Sequence, residues 1–303
     1  MFSLPNSDAV SETYDGVPLV RMPDVAEDLE KLLEALYCSP SLTLVPFSPH
    51  NPTIARPVLA LSTKYEIAHL RTLIVDRLEA DWPLTLDQWD ELQYTISIWR
   101  KYHIGPGRIP SPFIDDFFPE PASAICLARD FNIPKILPVA FYHLLRVPIT
   151  NDWDPLHEES PRGEIDSAPL CGARTAKLGL LRAEELLIML RGRHEFLVVF
   201  GEAVDAISVN AEHPDPDRCS IEDSYKGIGD LKEDCETALQ SHENSDDIFT
   251  LLLPESWAKE KAKWNMCSEC KSKIVNEVEG VRRALWDLLP QIFGLAEEME
   301  PDM

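Results

Sequence analysis

Between residues 24 and 78 apolar side chains recur every three or four positions, a spacing that fits helices with one buried face and little else. The stretch DVAEDLEKLLEALY carries Leu29, Leu32, Leu33 and Leu36. It opens on Asp24 with Glu27 three residues on, the capping-box pairing that satisfies unbonded amides at a helix start. After the proline-rich SPSLTLVPFSPHNP, two more amphipathic helices are predicted. Val58, Leu61 and Tyr65 mark the first and Ile67, Leu70, Ile74 and Leu78 the second, with the junction near Tyr65 to Ala68.

The same period returns further on. Thr85 and Gln88 form another capping box ahead of Trp89, Leu92, Ile96 and Trp99, and GPGRIPSP stops that helix. Ala122 to Phe131 reads as helix broken by Asn132-Ile133-Pro134, and Ile136, Val139, Ala140, His143 and Leu144 restart it with Pro134 and Pro138 in the first turn. His143 on that face reads as a satisfied core histidine. Ile149 to Gly172 is polar and without period, so a flexible loop is predicted. Leu178, Leu181, Leu186, Met189 and Leu190 then repeat up to Gly192, which reads as a helix stop, while HEFLVVFGEAVDAI suits helix or strand. A helix from about Gly227 to Gln240 is expected between two acidic loops. Ahead of all these, Val17 to Met22 alternates as a short strand, following a loose polar segment of residues 1 to 16.

The order of the pieces carries a resemblance. A short strand, an acidic helix ending in Leu-Tyr, a proline-rich turn and a VLALSTKYEIAHLR segment resemble the BTB/POZ domains of mushroom-forming fungi, and Leu59 to Leu70 is the most specific part of the match. SAICLARDFNIPKILPVAFYHLL and RRALWDLLPQIFGL resemble the helical extension that follows this domain. The resemblance implies a mostly α protein: the second half of an α+β BTB/POZ domain at 1–80, a helical extension at 81–148, the flexible loop at 149–172 and an all-α C-terminal region at 173–294. In that family MFSLP lies in mid-domain, so the hairpin and helices that carry much of the dimer interface are expected to be absent.

The function the resemblance implies is protein–protein interaction, as a ubiquitin-ligase adaptor or transcriptional scaffold whose partner is a cullin scaffold or another BTB protein. The expected binding residues are Asp24, Leu29, Leu33 and Tyr37 on the first helix and Lys64, Tyr65 and Leu70 on its neighbours. A truncated product without function of its own is a further reading.

Charge narrows the partners. Lys plus Arg number 28 against 52 Asp plus Glu, a net charge of −24, and half of that excess lies beyond residue 210. Such a chain repels phosphate backbones, and nucleic acid is not an expected partner. No apolar run approaches the ~18 residues of a membrane span, MFSLPNSDAV lacks the basic start of a signal peptide, and seven scattered cysteines suggest reduced thiols in an intracellular, cytoplasmic or nuclear, setting.

Four of those cysteines lie close together in the sequence. Cys267 and Cys270 form a C-x-x-C, and Cys219 and Cys235 lie upstream, with His213 or His242 as substitutes, so a structural zinc in a regulatory helical module is one reading. The other is plain core thiols: Cys267, Cys270, Ile274, Val278, Val281, Leu285 and Leu288 continue one apolar stripe, and Cys219 and Cys235 are 16 apart rather than two to four. No hydrolase, metalloprotease, dinucleotide or phosphate-loop motif is present. Asp115-Asp116 and Asp246-Asp247 read as solvated charge, and the chain reads as non-enzymatic.

Overall fold

The computed structural model describes residues 13–18, 22–37, 44–103, 113–159, 173–207, 229–230, 232–233, 235–237, 247–256 and 268–299. The protein is mostly helical. A two-residue hairpin, β1 (Thr13–Tyr14) and β2 (Val17–Pro18), precedes α1 (Ala26–Tyr37), α2 (Asn51–Lys64), α3 (Ala68–Glu79) and α4 (Leu86–His103). Then come α5 (Pro121–Phe131), α6 (Leu137–Leu145), α7 (Trp153–Glu159) and α8 (Ala183–Asp205). Short α9 (Ile248–Leu251), long α10 (Ser268–Asp287), and the single turns α11 (Leu289–Ile292) and α12 (Ala296–Met299) complete it.

Local chemistry accounts for several boundaries. At the α4 start, Gln88 N donates to Thr85 Oγ1 at 3.3 Å and the Gln88 side chain accepts from Leu84 N at 2.8 Å. Glu120 caps α5 by accepting from the amides of Ala122 and Ser123, with Pro121 in the first turn. Asn132 ends α5 in the left-handed conformation at φ 53°.

Four expectations need correction. The strand predicted over Val17 to Met22 is present at Val17–Pro18; residues 19–21 lie outside the described residues and Met22 is not in a strand. Val17–Pro18 is one arm of the β1–β2 hairpin, turned by Asp15 and Gly16 at φ 51° and 77°. That is the double positive-φ turn an Asp-Gly pair favours, and the signal lay inside the segment read as loose. Asp24 does not cap α1: the helix begins at Ala26, and the Asp24 carboxylate is held by Lys64 and Tyr65 instead. The polar stretch from Ile149 is helical over Trp153–Glu159, while residues 160–172 lie outside the described part. Gly192 stops nothing. It lies buried inside α8, where the Phe293 ring packs so closely that a Cβ would overlap it, and HEFLVVFGEAVDAI continues the helix. The expected helix near 227–240 is present at 229–230, 232–233 and 235–237.

α6 lies at the centre. All nine of its residues are buried, and α5, α8 and α11 pack around it. One hydrophobic core runs from Leu32 to Leu295 and is continuous across residues 80 and 148, with Phe141, Phe196, Phe200 and Phe249 fully buried in it. A satellite of Leu92, Ile96, Ile114 and Phe118 sits on the far side of α4. Among the described residues α1 packs chiefly on α2, and its outer face is exposed.

Candidate functional site

Two kinds of polar arrangement stand out, one sealed in the core and one at the N-terminal surface. The sealed one gathers around the short helical turn Ile114–Asp116, which the segment 173–177 clamps from one side. Thr175 N donates to Asp115 Oδ2 at 2.7 Å, and Asn151 Nδ2 donates to the Arg174 carbonyl at 3.0 Å. Arg174 Nη1 then bridges Asp115 Oδ1 at 3.1 Å and His143 Nε2 at 2.8 Å. Asp115 and Arg174 are 0% exposed and His143 is 1% exposed.

Protonation follows from this geometry. Burial pushes the Asp115 carboxyl up, but the Arg174 guanidinium, His143 and the Thr175 amide together hold it below its ordinary range. Burial, reinforced by Arg174, pulls His143 down to about 4, so the imidazole is neutral and accepts from Arg174. Burial also lowers Arg174 to about 10, and the nearby Arg146 and Arg100 add to that against the opposing charge of Asp115. The trio is a charged pair with a neutral histidine, closed to solvent, in which Arg174 Nη1 serves both partners while its Nε and Nη2 make no hydrogen bond.

Asp247 is a second buried hub. It accepts from Trp89 Nε1 at 2.8 Å, Tyr142 Oη at 2.6 Å and Thr250 Oγ1 at 2.7 Å, and Arg146 Nε lies 3.9 Å away. Burial pushes this carboxyl up, yet Arg146 and its three donors bring it below its ordinary range. Asp116 instead reaches the partly exposed His157, whose Nε2 is 2.6 Å away and whose Nδ1 is 2.7 Å from the Trp153 carbonyl. The solvated reading of Asp115, Asp116 and Asp247 is therefore wrong, and Asp246 lies outside the described residues. Their apolar flanks, as in FIDDFFP, were the available signal. His143 is a core histidine, as its position on a helix face indicated.

The residues predicted to bind partners fall into two groups and one outlier. Asp24, Lys64 and Tyr65 come together: the Asp24 carboxylate accepts from both, and the Lys64 ammonium sits 5.3 Å from the Tyr65 ring centre. Leu29, Leu33 and Tyr37 line a shallow groove of about 430 Å3 along α1, edged by Glu30 and Glu34. Leu70 is buried and packs into the core, so it is not part of that surface. Of the proposed metal ligands, Cys235 is fully buried. Cys219, Cys267, the Cys270 side chain, His213 and His242 lie outside the described residues. Among the described residues no group of three or more His, Cys, Asp or Glu is arranged to hold a metal, and no helix is long and apolar enough to cross a membrane.

The fold and site define a mostly helical protein with a charged core network and an uncovered apolar helix face. No family model matches the chain, and neither does any curated protein or solved structure.

Proposed function

We propose that this chain is a non-catalytic protein–protein interaction module of BTB/POZ type that docks partners on the outer face of α1. The observation that carries this reading is the exposed apolar stripe there: Leu33 and Leu36 are each 45% exposed and Tyr37 is 82% exposed, on a helix whose inner face is anchored through Leu32. Val25 and Met22 extend the stripe toward the hairpin. Contiguous apolar surface with a polar rim is what partner-binding sites share.

Glu27, Glu30 and Glu34 rim the stripe, which sets the chemistry of the partner. A second copy of this face would bring like charges together, whereas an amphipathic segment with Leu or aromatic anchors and flanking Lys or Arg matches both features.

The test is affinity purification with the intact chain and with a Leu33→Glu, Tyr37→Glu variant. The reading expects a set of bound proteins lost in the variant, and synthetic basic amphipathic segments from those proteins that compete for the intact chain. Partners retained equally by both forms would overturn it.

A further inference from the structure

α7 is a helix of seven residues, too short to hold its shape alone, so its fastenings decide whether it forms. Its start is tied to the segment 173–177: Trp153 N donates to the Ala176 carbonyl at 2.8 Å, and Ala176 N donates to the Asn151 carbonyl at 3.2 Å. Further along, His157 ties it to the Ile114–Asp116 turn.

Both nitrogens of that imidazole face oxygen. Nδ1 lies 2.7 Å from the Trp153 carbonyl, which has no proton to give, so Nδ1 carries a hydrogen and donates. Nε2 lies 2.6 Å from Asp116 Oδ1. An imidazole protonated on Nδ1 alone would aim its Nε2 lone pair at an ionised carboxylate, and the two would repel. The contact needs a proton between the two atoms, and the closed pair therefore holds one more than a neutral histidine beside an ionised aspartate.

The surroundings favour keeping that proton. Trp153 stacks on the imidazole with ring centres 4.2 Å apart, and the Phe113 ring lies at 4.9 Å, aromatic surfaces that suit a positive ring. Burial pushes the Asp116 carboxyl up against the opposing pull of His157, and the charge of adjacent Asp115 pushes the same way as burial. His50 acts on Asp116 in the opposite sense and more weakly. Lys177 lies across Trp153, 4.9 Å from its ring centre, and Asp154 and Glu158 on α7 itself are exposed.

The geometry points to a proton-operated clasp: Asp116 and His157 hold α7 against the 114–116 turn while they share a proton, and let it go once that proton is lost. A histidine outside the clasp titrates at about 6.5, and closure adds the carboxylate that shares the proton. The hold is thus present below about 6.5 and is lost as pH rises through the titration of the closed pair.

The test is hydrogen–deuterium exchange of the full chain, followed by NMR at pH 6 and at pH 8.5, with His157→Gln and Asp116→Asn compared with the parent. Variant-to-parent ratios at each pH cancel the intrinsic pH dependence of exchange. The probe is the Leu156 amide, which donates to the Asp152 carbonyl at 3.3 Å. In either variant it exchanges about tenfold faster than in the parent at pH 6, and at nearly the parent rate at pH 8.5. The Thr175 amide, held by Asp115 at 2.7 Å, keeps the parent rate at both values. His50→Gln leaves the pH dependence of the Leu156 amide in place. A Leu156 ratio that is the same at both pH values, an equal loss of protection at Thr175, or disappearance of the pH dependence in His50→Gln overturns the inference.

Discussion

α6 is buried on every side and α1 on one face alone, and the two helices use their polar neighbours in opposite ways. Around α6 every helix face is covered, and the charges that come with it, Asp115, Arg174 and Asp247, are driven inward, where each carboxylate is met by a guanidinium and by hydrogen-bond donors. Around α1 the inner leucine is buried while acids and leucines share a face that is exposed among the described residues. Buried charge here belongs to the architecture, and the exposed apolar face of α1 does not.

The contrast breaks most sharply at Asp115. Asp115→Ala strands Arg174 as an uncompensated buried charge and is expected to cost about 3–5 kcal/mol, measured as a fall in the urea midpoint. Pairing Asp115→Leu with Arg174→Met should recover most of that loss, since the two groups stabilise each other chiefly by cancelling burial costs. A double variant no more stable than Asp115→Ala alone would show that the network does more than neutralise itself.

Acid sharpens the same comparison. Native His143 stays neutral down to about 4, whereas the unfolded chain takes up that proton near the ordinary 6.5. Stability therefore falls as pH drops from about 6.5 to about 4, by on the order of 3 kcal/mol from this residue alone. Asp115, depressed in the folded state, adds a further loss only as pH falls below its ordinary 3.8. His143→Gln should flatten the upper part of that slope in chemical denaturation run from pH 7 to pH 4.

Gly192→Ala tests packing without charge. The added methyl meets the Phe293 ring inside van der Waals contact, and overpacking of that kind is expected to cost ~1–3 kcal/mol in thermal or urea unfolding. At the other extreme, Leu33→Glu should change unfolding free energy by no more than ~0.5 kcal/mol, because the residue is 45% exposed and not part of the core. A large destabilisation there would mean that α1 is covered after all.

Much of the fold was legible because helices announce themselves locally. The stripes from Leu29 to Leu36 and from Trp89 to Ile96 lie where the spacing placed them, and Thr85 accepts from Gln88 N as read, although the Gln88 side chain reaches Leu84 N rather than the Thr85 amide. The charge network was not legible, because Asp115 and Arg174 are 59 residues apart and meet only when 173–177 folds back on the 114–116 turn. Gly192 shows the same limit: a glycine stop and a glycine that admits a distant ring are identical in sequence, and only the position of Phe293 tells them apart. Leu29, Leu33 and Tyr37, named through the family resemblance, line one groove, whereas Leu70, named with them, is turned inward by its neighbours, which period alone does not distinguish.

The contact of Phe293 with Gly192 has a consequence for the order of events during synthesis. Phe293 also stacks on Phe141 at 5.6 Å, and Leu289, Ile292 and Leu295 are buried beside it. α6 and α8 thus receive part of their covering from residues made well after them. A ribosome-bound chain that has emerged as far as α8 presents an apolar seam with its closing piece still missing, so folding of the core waits on translation through Leu295 and is sensitive to chaperones until then.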